Sequence, residues 1–264
     1  IYIDNDLDTL GMSYSKLKER LANSSIGCVL LQHPMVNLID VDKFISACDR
    51  YEVPVLIDSV EATGGTLNGR KVGSIGKIEG FSLHPSKVIN GAEGGILTFS
   101  SSEEYESFNR YMQYIGVGSK NNNHESLFKL EPIHAILGIA SLECFDSFRN
   151  IFEKQYTKYI TAFKDSKNFD MLEYDLKERN NFKSILVKIK NKKIKRSKLL
   201  KFLEKKNIGA RPYYHPLHKL TKEYDLDNAR ILSETLIFLP VGKSVNLQDI
   251  DFISHSIIDY GKDY

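Results

Sequence analysis

The sequence has no tryptophan, few prolines and three cysteines, and these shortages restrict the class of protein. Cys28, Cys48 and Cys144 are odd in number, lie far apart and form no CxxC pair. This pattern argues against a disulfide framework or a zinc site and favours reduced thiols in the cytoplasm. No apolar run is long enough to span a membrane. The net charge of +2 gives no reason to expect nucleic acid or a membrane as a partner.

Histidines are few, and their spacing matches no metal site. The chain has seven of them in 264 residues. His215 and His218 form the closest pair, and they lie in a segment that is explained differently below. The sequence therefore gives no reason to expect a metal ion.

Short apolar runs alternate with amphipathic runs over residues 1–150, which predicts an α/β domain. The predicted strands are Ile26–Gln32, Pro54–Ile57, Glu79–Leu83 and Gly95–Phe99. Each is apolar enough for a parallel or mixed sheet that is covered on both faces. Helices are expected after a cap at Asp40, over Glu103–Ile115, and from Pro132 along an apolar stripe that continues to Phe148.

The pattern changes over residues 151–264 and predicts a smaller α+β domain. Ile185, Val187 and Ile189 alternate with polar residues, which predicts a half-exposed antiparallel strand. A short helix is expected from Ser197 to Gly209, before the strand-like ARPYY. The segment Leu247–Tyr260 is expected to form a final helix.

One lysine lies between two predicted strands, in the stretch IEGFSLHPSKVINGAEGGILTF at residues 78–99. Lys87 is flanked by a proline and by small residues, which allows its amine to be partly desolvated. Desolvation favours the neutral amine, which is a nucleophile and can form a Schiff base with a carbonyl such as that of pyridoxal phosphate (PLP). A lone lysine is far more often a solvated surface residue, so Lys87 has to be judged with its neighbours.

Three neighbouring features fit a PLP site, and each also has a purely structural explanation. Asp58 ends a predicted strand, where α/β sheets place ligands, and its carboxylate could keep a pyridine nitrogen protonated; it could equally cap a turn. Ser82 could donate to a phosphate oxygen or simply bind backbone. The GAEGG run at 91–95 would let backbone approach a ligand closely, or form a tight turn.

Taken in order, these segments resemble the DegT/DnrJ/EryC1/StrS family of sugar aminotransferases, which are PLP enzymes of fold type I. The chain reads DSVEATG at 58–64, NGRKVGSIG at 68–76, FSLHPSK at 81–87 and GAEGG at 91–95. The corresponding family segments read DAAQAxG, GRKVGSxGD, SFxPxK and GEGG. Similar likenesses occur at IYIDNDLDTLGMS near the start, at FKLEPIHAILG (128–138) and at IGARPYYHPLH (208–218). The resemblance thus covers almost the whole chain.

The resemblance implies an architecture and a set of cofactor contacts. The expected fold is a three-layer α/β structure, with a mixed, mostly parallel sheet between helices and a smaller C-terminal α+β domain. Lys87 would form the Schiff base with PLP and later move a proton. Asp58 would pair with the pyridine nitrogen, Ser82 would bind the phosphate, and Glu61 would lie near the phenolic oxygen of the ring.

The resemblance also implies a reaction and its partners. An amino acid, usually L-glutamate, would give its amino group to the cofactor, which would pass it to the keto carbon of a nucleotide-linked sugar. Glu93 would lie at the mouth of the site, and Tyr214 and His218 would approach the substrate, although packing of the small domain would also explain these two. A homodimer is expected because active sites in the family take groups from both subunits.

Two departures from the family pattern affect these expectations. The chain begins with Ile1 and lacks an upstream family segment that contributes to the phosphate site, so we expect a fragment of a longer enzyme that binds PLP weakly. Leu127 replaces an asparagine that reaches the neighbouring subunit's phosphate; the run Asn121–Asn123 could compensate. Two alternatives remain open: a PLP-dependent sugar dehydratase, although its best-known variant has histidine in place of the lysine, and a catalytically silent dimeric relative with a binding or regulatory role.

Overall fold

A computed structural model of the chain describes residues 1–117, 130–216 and 226–264. These residues form two compact units, each assembled from separate stretches of sequence. We call the one formed by Leu21–His33 and Asp40–Phe145 the Lys87 unit, and the one formed by Ile1–Arg20, Pro34–Ile39 and Asp146–Tyr264 the C-terminal unit. The predicted division into functional domains at residue 150 stays a prediction.

The Lys87 unit is built on a four-stranded sheet. Helix α1 (Tyr14–Asn23) belongs to the C-terminal unit as far as Arg20 and to the Lys87 unit from Leu21. The further elements of the Lys87 unit are β1 (Val29–Gln32), α2 (Val41–Asp49), β2 (Val55–Asp58), β3 (Thr66–Leu67), β4 (Arg70–Lys71), β5 (Ile78–Ser82), β6 (Gly95–Phe99), α3 (Ser102–Val117) and α4 (Pro132–Glu143). The strand order is β1-β2-β5-β6, and β3 pairs with β4 in a separate hairpin. Strands β1, β2 and β5 are parallel, and β6 is antiparallel to β5. The predicted mixed, mostly parallel sheet is confirmed.

The register of the sheet decides which side chains share a face. Ile57 pairs with Glu79 and Asp58 pairs with Gly80 across β2 and β5. Since successive side chains of a strand point to opposite faces, Asp58 and Ser82 project from one face and Ile57 and Glu79 from the other. Ile57 and Glu79 are both buried. We call their side of the sheet the closed face and the side of Asp58 and Ser82 the site face.

Two details of the predicted helices are wrong. Asp40 precedes α2, but its side chain makes no capping hydrogen bond. The expected stripe from Pro132 to Phe148 does not lie on one helix, because α4 ends at Glu143 and α5 begins at Phe145. Helix α4 keeps Ile133, Ile136 and other large apolar side chains exposed. Among the described residues, no helix combines the length and apolar composition that a membrane span requires.

The C-terminal unit is an antiparallel sheet with helices. Its elements are α5 (Phe145–Phe163), β7 (Phe169–Met171), β8 (Ile185–Ile189), α6 (Arg196–Lys205), β9 (Arg211–Pro212), α7 (Asp227–Thr235), β10 (Leu236–Leu239) and α8 (Leu247–Lys262). The first residue of α5, Phe145, is the last residue of the Lys87 unit. The strand order is β7-β8-β10-β9. The prediction that β8 is half-exposed is wrong: Ile185, Leu186 and Val187 are all buried, because β8 is an inner strand that contributes both of its faces to the core.

A buried carboxylate near the start of the chain caps helix α7. Asp4 has no exposed surface and accepts hydrogen bonds from the backbone N–H groups of Asn228, at 3.0 Å, and Ala229, at 2.8 Å. Its charge is matched by the Lys16 ammonium at 2.9 Å. Burial by itself raises the pKa of Asp4, but the bonds from Lys16 and from backbone N–H groups outweigh it and leave the pKa below its ordinary value. A carboxylate suits this position because helix N-termini carry unpaired N–H donors and partial positive charge.

We expect Asp4→Asn to lower the free energy of unfolding by about 2 kcal/mol, because hydrogen bonds to a charged group are replaced by weaker ones. The Asp4 carboxylate becomes protonated as the pH falls through its folded-state pKa. The difference in unfolding free energy between the unaltered chain and Asp4→Asn should therefore be present at neutral pH and disappear in acid. Urea unfolding at both pH values measures this. Asp8→Asn is the control, since Asp8 is an exposed carboxylate of the same segment. Equal losses from both variants would contradict the capping role.

Candidate active site

The Lys87 side chain is largely buried and paired with a carboxylate. Lys87 lies in the loop after β5, where its backbone N–H donates to the carbonyl of His84 at 2.9 Å and closes a turn. Its ammonium contacts the Glu61 carboxylate, and the two side chains are 18% and 11% exposed. A surface lysine would be far more exposed than this. The structure therefore brings together two of the residues that the sequence singled out.

Asp58 and Ser82 lie at the carboxyl ends of neighbouring parallel strands, on the site face. One Asp58 oxygen, Oδ1, accepts from the backbone N–H of Val60 at 3.1 Å. The Ser82 hydroxyl oxygen accepts from the backbone N–H of His84 at 3.1 Å, which leaves its proton available for donation. In open α/β sheets, ligands bind beyond the carboxyl ends of the strands, so both side chains are suitably placed.

The glycines of the loop at 91–95 lie close to other protein atoms. A Cβ atom on Gly91 would lie 2.9 Å from the carbonyl oxygen of His134 in α4, and one on Gly95 would lie 3.0 Å from the carbonyl oxygen of Phe81. Gly94 has φ of +114°, and a Cβ there would overlap Leu130. These glycines make room for neighbouring protein atoms, so a close approach to a ligand is not needed to explain them.

The remaining predicted site residues are distributed differently. Glu93 is exposed in the glycine-rich loop. Tyr214 belongs to the C-terminal unit and is 59% exposed, and its ring packs edge-on against Phe238 at a centroid distance of 5.7 Å. His218 lies outside the described residues, as do Leu127 and the run at 121–123.

Sequence reasoning missed two buried polar residues, Glu79 and His33, on the closed face directly behind the site. Glu79 and His33 have no exposed surface. The Glu79 carboxylate accepts four hydrogen bonds, whereas neither ring nitrogen of His33 has a partner among the described residues. The sequence contained a signal for Glu79, since an acidic residue within an otherwise small and apolar strand must be satisfied by nearby donors.

His33 should make the fold sensitive to acid. Burial lowers the pKa of His33 from 6.5 to about 4, although the nearby Glu79 charge opposes the shift. A histidine with a lowered folded-state pKa binds protons more readily when unfolded. Its contribution to stability is therefore intact above about pH 6.5 and is lost as the pH falls from there towards 4.

Between pH 7 and pH 5 we expect His33 to cost the fold about 2 kcal/mol of unfolding free energy, from a shift of this size. The substitution His33→Leu should remove most of that loss. The measurement is urea unfolding at the two pH values, with His255→Asn as the control because His255 is exposed. If His33→Leu kept the full loss between pH 7 and pH 5, His33 would not be the group responsible.

The donor set of the site fits PLP in kind. It combines a primary amine for an aldehyde (Lys87), a carboxylate for a protonated pyridine nitrogen (Asp58) and a hydroxyl for a phosphate oxygen (Ser82). Asp58 and Ser82 share the site face, and the loop that carries Lys87 begins where β5 ends. The fold and this set of residues define a class, the PLP-dependent enzymes of fold type I.

Comparison with known proteins identifies the family within that class. Residues 1–258 match the sequence profile of the DegT/DnrJ/EryC1/StrS aminotransferase family. The chain is 26% identical to the GDP-perosamine synthase of Escherichia coli O157:H7, over 100% of this chain and 73% of the relative. It is also 26% identical to the UDP-4-amino-4,6-dideoxy-N-acetyl-beta-L-altrosamine transaminase of Helicobacter pylori, over 97% of this chain and 70% of the relative.

A solved structure shows the same fold. Helicobacter pylori PseC, an aminotransferase involved in the biosynthesis of pseudoaminic acid, superimposes with a TM-score of 0.88 at 23% identity, over 100% of this chain and 74% of that one. The chain belongs to the DegT/DnrJ/EryC1/StrS aminotransferase family, and the resemblance seen in its motifs is confirmed. It is accordingly an aminotransferase with PLP as its cofactor.

Proposed function

We propose that the protein transfers an amino group from an amino acid, L-glutamate, to the keto carbon of a nucleotide-linked sugar. Family membership supports the reaction type. The names of two relatives refer to GDP-linked and UDP-linked sugars, which supports the substrate class.

The observation that carries the proposal is the environment of Lys87. Its ammonium is mostly buried and pairs with Glu61, at the same edge of the sheet as Asp58 and Ser82. PLP supplies an aldehyde and a ring that accepts electrons from the reacting carbon. The Lys87 amine would hold the aldehyde covalently and, once displaced by the donor's amine, would move a proton between substrate and cofactor carbons.

The other residues would orient the ring and set its charge. The Asp58 carboxylate would keep a proton on the pyridine nitrogen, which makes the ring a stronger electron acceptor. The Ser82 hydroxyl would donate to a phosphate oxygen, and Glu61 would lie beside the phenolic oxygen. For the substrates we propose Glu93, Tyr214 and His218 as contacts, on the strength of the motifs in which they occur.

Two further parts of the proposal concern assembly and location. We propose a homodimer, and the exposed apolar side chains of α4 are compatible with a covered surface in the assembled enzyme. Sedimentation measurements would distinguish a dimer from a monomer. We propose the cytoplasm as the location because Cys28, Cys48 and Cys144 are all free thiols.

The test uses the full chain at saturating PLP, with 15N-labelled L-glutamate and a panel of GDP-, UDP- and dTDP-linked 4-keto sugars. An aminotransferase transfers the label into the sugar and releases one 2-oxoglutarate for each amino sugar formed. A dehydratase would give a deoxygenated sugar without label. A silent relative would bind PLP and leave every amino donor unchanged. Either of these two results would overturn the proposal.

A further inference from the structure

A single buried carboxylate closes the loop that connects the two strands carrying Asp58 and Ser82. Glu79 Oε1 accepts from the backbone N–H groups of Ile75, at 2.6 Å, and Gly76, at 2.8 Å. Its Oε2 accepts from the backbone N–H of Gly73 at 2.8 Å and from the Ser59 hydroxyl at 2.9 Å. All four donors are neutral, so the buried carboxylate depends on these hydrogen bonds, and the loss of any one of them weakens its stabilisation.

The backbone at residues 73–76 is packed tightly against the closed face. Gly73 has φ of +99°, and a Cβ there would lie 3.1 Å from the Phe81 ring. A Cβ on Gly76 would overlap the side chain of Ile57. The turn that Glu79 binds therefore has little freedom to shift, because the side chains of Phe81 and the buried Ile57 lie directly against it.

The hydrogen bond to Ser59 connects this turn with the site. Ser59 is completely buried and follows Asp58 directly. Its backbone N–H donates to the carbonyl of Gly80 at 2.9 Å, and the Asp58 carbonyl accepts from the backbone N–H of His33 at 3.0 Å. The backbone on both sides of the Asp58 side chain is thus fixed, and the Glu79 carboxylate supplies the only one of these bonds that depends on a side-chain charge.

We propose that Glu79 is a positioning residue for the cofactor: it sets the direction of the Asp58 carboxylate through Ser59, and it fixes the loop at 58–79 that also carries Glu61. This role rests on the proposed function, since it concerns a site for PLP. Its effect acts through Asp58 and Glu61, because Glu79 lies on the closed face and Asp58 on the site face. Replacing Glu79 should therefore weaken the binding of the pyridine ring, although Glu79 itself would make no contact with the ring.

The conservative substitution Glu79→Gln keeps the size of the side chain but sets an amide NH₂ group against the N–H of Gly73. We expect it to weaken PLP binding roughly 10-fold. A loss of this size is known for metal sites, when a residue that hydrogen-bonds to a metal ligand is replaced. Titration of the full chain with PLP, followed by visible absorbance, measures this. Ser59→Ala is a milder variant that removes only the connection to Asp58, and it should weaken binding in the same direction. Glu106→Gln, in an exposed part of α3, is the control.

A double-mutant cycle separates positioning from a general loss of structure. Asp58→Asn should weaken PLP binding much less in the Glu79→Gln background than in the unaltered chain, whereas Ser82→Ala should weaken it by the same factor in both. Additive effects of Glu79→Gln and Asp58→Asn, or unchanged PLP binding in Glu79→Gln, would overturn the positioning role alone. If the unaltered chain did not bind PLP at all, the proposed function would fail, and the positioning role with it.

Discussion

Replacing Lys87 with alanine is expected to abolish covalent attachment of PLP and to lower the rate of amino transfer by about 1,000-fold or more. The variant removes both the nucleophile for the aldehyde and the group that moves the proton, and each contributes to the rate. Glu61 would also lose its cationic partner. Borohydride reduction followed by mass spectrometry detects the attachment, and single-turnover kinetics with L-glutamate give the rate.

The matched control is Lys77→Ala, since Lys77 is an exposed lysine just before β5. It should keep covalent PLP and an unchanged rate. Because PLP reacts weakly with many surface amines, the decisive comparison is between these two variants at the same cofactor concentration. Equal labelling of the unaltered chain and of Lys87→Ala would show that another amine binds the aldehyde.

The second large effect is expected from Asp58→Asn, which should lower the rate of amino transfer by about 100- to 1,000-fold, the range seen when one preorganised electrostatic group is removed. The amide has nearly the same shape as the carboxylate, but it carries no charge to keep the pyridine nitrogen protonated. The ring then becomes a weaker electron acceptor, so the loss should appear in the chemical step more than in substrate binding.

Measurement of kcat and KM separately checks this expectation, with Asp40→Asn as the control. Asp40 is an exposed carboxylate whose side chain makes no capping hydrogen bond, so its loss should change neither constant. A fall in kcat/KM that came entirely from a higher KM would argue that Asp58 contacts substrate. It would then not be the partner of the pyridine nitrogen.

Much of the sheet could be predicted from sequence because its pattern is local. The apolar runs that become β1, β2, β5 and β6 are short and bounded by turn residues, and all four strands occur within three residues of their predicted limits. The apolar run Pro54–Ile57 predicted a strand, and it therefore also predicted that Asp58 lies at the end of β2. The final helix was also predictable, and Asn246 and Asp249 form its capping box.

What could not be predicted depends on contacts between distant parts of the chain. Nothing near Asp4 in sequence indicates that it caps a helix more than 200 residues away, at Asn228. Similarly, β8 was expected to be half-exposed because a strand pattern does not reveal whether neighbours pair on both sides. The neighbours of the glycines at 91–95 could not be predicted either, since the sequence does not show that His134 of α4 lies against Gly91 or that Leu130 lies against Gly94.

The candidate site was partly predictable: residues with a chemical role could be singled out from the sequence, whereas residues that support them from behind the sheet could not. Lys87, Asp58 and Ser82 could be singled out in the sequence by their chemistry and order, and their contacts with PLP stay a prediction. Glu79 and His33 act behind the sheet, and their importance becomes visible only from burial and hydrogen bonds. The sequence indicates that Glu79 needs donors, because it is acidic and lies in a small and apolar strand, but it does not show which groups supply them, since these depend on local packing.

The most direct test of the account is the absorbance spectrum of the purified chain at saturating PLP, before and after L-glutamate is added. We predict a visible band that is present in the unaltered chain, absent in Lys87→Ala, and bleached by glutamate with release of an equal amount of 2-oxoglutarate. A visible band that persists with every amino donor, or one that does not depend on Lys87, would contradict the claim that this site transfers amino groups.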